Sequence, residues 1–106
     1  SAGASADKTV VSQERILIVD DHPLTREALA SLLRRHDFDV VGQAADGEEA
    51  IASARELQPE LVLLDLTMPG MDGLAALPQI RHAAPSCEVV VLTASGTEDN
   101  LLEAIR

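Results

Sequence analysis

The sequence has no tryptophan and no tyrosine, and its single aromatic residue is Phe38. It therefore offers no aromatic platform on which bases could stack. Its only lysine is Lys8, and eight basic residues stand against eighteen acidic ones, a net charge of −10. That balance argues against a segment that grips nucleic acid or an anionic membrane, because neutralising phosphate needs a basic patch. Cys87 is the one cysteine, which excludes an internal disulfide framework and any cysteine-based zinc site. No apolar run approaches the roughly 20 residues that a membrane-spanning helix needs. The opening stretch SAGASADKTVVSQER has no apolar core of the kind a secretory leader carries. These absences predict a soluble, acidic, cytoplasmic domain with no membrane partner.

What is present is enough for one small domain. Of 106 residues, 46% are apolar, mostly Leu, Val, Ile and Ala. Residues 1–14 are small and polar and predict a flexible lead; residues 15–106 predict the folded domain. Four short apolar runs follow, Ile16–Val19, Phe38–Val41, Leu61–Leu64 and Val89–Leu92. None alternates in and out, as expected for strands buried on both faces. Helices fit between them. Pro23 suits a first helical turn, with Leu24, Ala28, Leu32 and Leu33 as its apolar stripe. Asp46 and Glu49 resemble a capping box ahead of Ala50, Ile51, Ala54 and Leu57, with Pro59 as a stop. Asp72 is expected to cap a third helix through Leu74, Leu77 and Ile80, bent or shortened at Pro78. Thr97 is expected to cap a fourth, with Leu101, Leu102 and Ile105 inward. This β-α alternation predicts an α/β fold with a parallel sheet and right-handed crossovers.

The polar residues that end the runs carry the functional signal. The first run ends in Asp20 and Asp21, the third in Asp65 and the fourth in Thr93. In open α/β sheets ligands bind at the carboxyl ends of the strands, near the point where strand order reverses. Carboxylates gathered there repel one another, and a hard divalent cation such as Mg²⁺ or Mn²⁺ relieves the repulsion. A carboxylate beside such a cation is also a plausible nucleophile for phosphorus, giving an aspartyl phosphate. Asp65, alone at the end of its strand, is the candidate nucleophile. The turn at Pro69-Gly70, four residues on, leaves room above it for a phosphoryl group.

The stretches ILIVDDHPLTREALASLL, VVGQAADGEEAI, PELVLLDLTMPGMDGL and VVVLTAS resemble the receiver domain of bacterial two-component response regulators, and most of all its NarL/FixJ-like subfamily. The resemblance runs from Arg15 to Arg106. It implies a flavodoxin-like (CheY-like) doubly wound parallel sheet of order 2-1-3-4-5. It makes Asp65 the phosphoacceptor and Asp20 and Asp21 the acidic pair that holds Mg²⁺, Asp21 directly and Asp20 partly through water. The backbone carbonyl of Thr67 becomes a further ligand, Thr93 the switch hydroxyl that closes on the phosphoryl group, and Ala94 the small residue that leaves the site accessible. A sensor histidine kinase is the implied phosphodonor and a homodimer the implied assembly. DNA would be reached only through a C-terminal helix-turn-helix domain absent from this sequence. The implied role is a regulator of transcription, not an enzyme.

Receivers end with a fifth strand and helix and a lysine that pairs with the phosphoryl group. This sequence stops at Arg106, within the fourth expected helix, so it is expected to be C-terminally incomplete. Two rivals remain at this point. A degenerate receiver would serve only as a protein-interaction module. A Mg²⁺-dependent phosphatase of the haloacid-dehalogenase type would also use a strand-end Asp, but it wants a second acid where this sequence has Thr67. His22 is expected to be a loop residue before the Pro23 helix, and His36 and His82 to be solvated at helix ends. Cys87 is expected to have no redox role. Met68 and Met71 flank the loop after Asp65 as contact surface or as packing.

Overall fold

The computed structural model describes residues 13–65 and 73–92. Its elements follow one another as β1 (Arg15–Val19), α1 (Pro23–Arg35), β2 (Asp39–Ala44), α2 (Gly47–Leu57), β3 (Leu61–Asp65), α3 (Gly73–Ala83) and β4 (Glu88–Leu92). All strand pairs are parallel, and the sheet order is β2-β1-β3-β4. The chain winds outward from β1 to β2, then returns past β1 to β3 and β4. The order therefore reverses between β1 and β3, as the resemblance to receiver domains implies.

In the central strands β1 and β3 the lack of alternation has a direct cause: both faces are covered. Ile16, Ile18, Leu61 and Leu63 pack with Ala30, Leu32 and Leu33 of α1 on one side. Leu17, Val19, Val62 and Leu64 pack on the other with Ala50 and Ala54 of α2 and Ala76 and Ile80 of α3. Successive residues point to opposite faces, so a strand between two helical layers must be apolar throughout.

Three expectations need correction. The second strand is Asp39–Ala44, not Phe38–Val41; Phe38 precedes it and packs against the α1 side. The pairing slips between Ile16 and Leu17, whose partners are Val40 and Gly42, so Val41 is an extra residue. That bulge inverts the in-out parity of β2 and brings Ala44 opposite Val19 on the α2 side. In α1, Leu24 is 86% exposed and Ala28 is exposed; Leu29, Ala30 and Leu33 face the sheet instead. Pro78 does not shorten α3, which continues to Ala83 with the proline on its exposed side. Asp72 and the fourth expected helix lie outside the described residues.

The α2 cap is built as its residues predict. Asp46 accepts from the Glu49 N–H at 2.8 Å, and Oε1 of Glu49 accepts from the Ala45 N–H at 2.8 Å. At its other end Gln58 adopts a left-handed conformation, φ 48°, before Pro59. Arg15 closes that end by donating to the carbonyls of Leu57 at 2.6 Å and Gln58 at 2.7 Å. Gln58 Nε2 reaches the Ala83 carbonyl at 2.8 Å and ties α2 to α3. The far end of the sheet is thus closed by side chains that donate to main-chain carbonyls, while the carboxyl end holds the acids.

Candidate functional site

Pairing of β1 with β3 puts Val19 beside Leu64. One residue further along that parallel register lie Asp20 and Asp65, neighbours at the carboxyl edge. Asp21 follows as the chain leaves the sheet, and His22 is the N-cap of α1. One ligand atom from each of Asp20, Asp21, His22 and Asp65 lies within 4.8 Å of all the others. The three carboxylates expected from the sequence therefore converge.

Their environments differ. Asp20 is 3% exposed, the one buried charged residue among those described. Its Oδ1 accepts from the His22 N–H at 2.9 Å. Burial pushes its carboxyl above the usual range, and the neighbouring Asp65 adds to that by repulsion and by hydrogen bonding to the protonated form; the His22 bonds work the other way. Asp65 is partly buried at the last position of β3. Asp21 Oδ1 is buried and accepts no hydrogen bond among the described residues. His22 Nδ1 lies 3.0 Å from that oxygen and 3.3 Å from Asp20 Oδ1, near enough for attraction but without a donor aligned on Asp21.

A buried carboxylate oxygen without a donor is costly unless something else satisfies it. Three carboxylates with such an oxygen among them form an oxygen-rich, anionic donor set, and that set fits a hard divalent cation. His22 is more than the loop residue expected, since its ring faces both acids of the pair. Thr67, Thr93, Ala94, Met68 and Met71 lie outside the described residues. His36 and His82 are exposed at helix ends as expected. Cys87 is buried, and burial pushes its thiol up, away from the reactive thiolate.

Sequence reading missed Arg26 and Gln43. Arg26 Nη1 donates to the main-chain carbonyl of Asp20 at 2.6 Å, and its Nε donates to Gln43 Oε1 at 3.2 Å. Gln43 Nε2 donates in turn to Glu27 Oε2 at 3.2 Å. No spacing rule would have found them, because the link joins α1 to β2 across the top of β1.

A doubly wound parallel sheet with an acidic cluster at its switch point defines a class of ligand-binding α/β domain. Comparison with known proteins narrows that class. Residues 16–106 match the model of the response regulator receiver domain. The nitrate/nitrite response regulator protein NarL of Escherichia coli K12 is 41% identical over 92 residues, 86% of this chain and 43% of NarL. The chemotaxis protein CheY of Listeria monocytogenes is 40% identical over 92 residues, 87% of this chain and 77% of that protein. The crystal structure of the CheX-CheY-BeF3-Mg²⁺ complex from Borrelia burgdorferi superposes with a TM-score of 0.72 at 32% identity, covering 87% of this chain and 70% of that one. The chain belongs to the response regulator receiver domain family, and its relatives include NarL-type regulators. It spans less than half the length of NarL. Among the described residues no helix is long and apolar enough to cross a membrane.

Proposed function

We propose that this domain accepts a phosphoryl group from a sensor histidine kinase on Asp65, with Mg²⁺ or Mn²⁺ held by Asp20, Asp21, Asp65 and the Thr67 carbonyl. The observation that carries the reading is the convergence of the three carboxylates with a buried Asp21 oxygen that accepts no hydrogen bond among the described residues. The Mg²⁺ named with the Borrelia CheY supports it. When bound, a hard divalent cation offsets the charge of the carboxylates and of the incoming phosphoryl oxygens. An Asp65 carboxylate oxygen attacks phosphorus, forming an O–P bond. The P–N bond of the phosphohistidine breaks, its electron pair returns to the imidazole, and the imidazole takes a proton from solvent. A bound cation would favour the charged form of the Asp20 carboxyl, against the effect of its burial. Thr93 donates its hydroxyl to a phosphoryl oxygen.

Phosphorylation adds roughly 1.5–2 negative charges and three acceptors at one point. Capture of one acceptor by Thr93, the residue that follows Leu92 in the sequence, biases a two-state equilibrium of the segment after it. In this reading the folded unit begins near Arg15, acts in the cytoplasm and pairs with a second copy. It controls transcription through a DNA-binding domain outside this sequence and is a switch, not a turnover enzyme. The test compares Asp21→Ala with His22→Ala. A hard cation selects carboxylate over imidazole, so Asp21→Ala is expected to abolish metal-dependent phosphorylation and His22→Ala to leave it largely intact. The reverse ranking contradicts the proposal.

A further inference from the structure

We propose that Arg26 is a positioning residue for the cation site: it holds the main chain that carries Asp20 and Asp21 and leaves their carboxylates open. The inference rests on the reading of that site given above. What points to it is where the guanidinium goes. An arginine beside a group of acids ordinarily forks onto one of them, and a carboxylate engaged in such a pair is a poorer cation ligand. Arg26 spends its donors otherwise, on the Asp20 carbonyl at 2.6 Å and on Gln43 Oε1 at 3.2 Å.

The Asp20 carbonyl belongs to the peptide that leads into Asp21. On its other side, the Asp20 N–H donates to the Ala44 carbonyl of β2 at 3.0 Å. Both halves of the Asp20 main chain are therefore tied, one to β2 and the other to α1. Rotation of the Asp20–Asp21 peptide would move the Asp21 carboxylate relative to the cluster, and it would break a charge-assisted hydrogen bond. The arginine is itself held. Its backbone N–H closes the first turn of α1 on the His22 carbonyl at 2.9 Å, and Gln43, steadied by Glu27 at 3.2 Å, fixes the guanidinium plane. Glu27, Gln43 and Arg26 thus form a relay of hydrogen bonds from the solvent face of α1 to the acidic pair. It places Asp21 without neutralising it.

Partners of this kind, one step removed from a metal, typically contribute about 10–100-fold to affinity. The test is Mn²⁺ binding to the full chain, read from the free-ion signal in electron paramagnetic resonance, with a thermal melt of each variant. Arg26→Met is expected to raise the Kd for Mn²⁺ at least about tenfold. Gln43→Leu, farther from the acids, is expected to raise it by less. Arg26→Lys is expected to recover part of the loss, since an ammonium can reach the Asp20 carbonyl but cannot fork onto Gln43 as well. Wild-type protein that binds no Mn²⁺ overturns the reading of the cation site itself. Wild-type binding with an unchanged Kd in Arg26→Met overturns this inference alone, as does a lowered melting temperature with an unchanged Kd below it. Should Arg26→Met fail to fold, unchanged affinity in both Gln43→Leu and Arg26→Lys overturns it equally.

Discussion

Replacing Asp20 by asparagine is expected to make the metal-free domain more stable while weakening the site. Asp20 is nearly inaccessible, and the ligand atoms of its cluster lie within 4.8 Å of one another. At that separation two unit negative charges repel by about 3.5 kcal/mol at an effective dielectric of about 20. The raised proton affinity of Asp20 and the hydrogen bond from the His22 N–H relieve part of this. Asparagine keeps the acceptor for that N–H and removes the charge. The expected gain at pH 7 in EDTA is about 1–2 kcal/mol, or roughly 5–10 °C in Tm for a domain of this size. The pH dependence has a definite sign. Because its folded-state pKa is raised, the Asp20 contribution to stability is complete below 3.8, the ordinary value, and is lost as pH rises through the folded value. The advantage of Asp20→Asn is therefore largest near neutrality and shrinks toward acid. Adding Mg²⁺ in excess is expected to stabilise the wild type, by mass action on the folded state, more than the variant. Melts followed by circular dichroism across pH 4–8, with EDTA and with Mg²⁺, read all three effects. A variant that melts at or below the wild type at pH 7 in EDTA, or a gain that grows as pH falls, would refute the electrostatic reasoning.

Two further predictions concern the frame that presents the acids. A Cβ at Gly42 would lie 2.7 Å from Leu57 Cδ1 and 3.3 Å from Leu17 Cδ1, so Gly42→Ala must displace the end of Leu57. That atom is the flexible end of its side chain, so the expected cost is about 1 kcal/mol or less, measured by urea unfolding; a loss of about 3 kcal/mol would show that Leu57 cannot yield. Asp46→Ala removes the acceptor of the Glu49 N–H and is expected to cost about 1 kcal/mol, with Asp46→Asn recovering most of it in the same assay.

Much of this was readable in the residues, for identifiable reasons. Ile16–Val19 and Leu61–Leu64 lie between two helical layers, so their unbroken hydrophobicity is the direct imprint of their position. Asp20 and Asp65 stand at matching ends of adjacent parallel strands, which is why the acids converge once the strand order is right. The α2 cap is local, and Asp46 and Glu49 encode it without help from the rest of the fold. The errors arose where tertiary context decides. Leu24 satisfies helical spacing, but the register of α1 on the sheet is set by Leu29, Ala30 and Leu33, and that leaves Leu24 in solvent. The bulge at Val41 has no signature in a stretch reading Val40-Val41-Gly42; its consequence is that Ala44 pairs with Val19 and packs on the α2 side. Pro78 lacks the N–H for the Leu74 carbonyl, yet α3 continues past it to Ala83, so the expected shortening does not occur. The Arg26–Gln43 link spans two elements and follows no spacing in either.

The central claim is that Asp65 is the residue modified. Intact-protein mass spectrometry of the full chain, after incubation with a small-molecule phosphodonor such as acetyl phosphate and Mg²⁺, tests it most directly. The account predicts a single phosphoryl adduct that disappears with EDTA and is absent from Asp65→Asn, whereas Thr93→Ala retains it. An adduct of undiminished yield in Asp65→Asn, or one formed equally well in EDTA, would contradict the account.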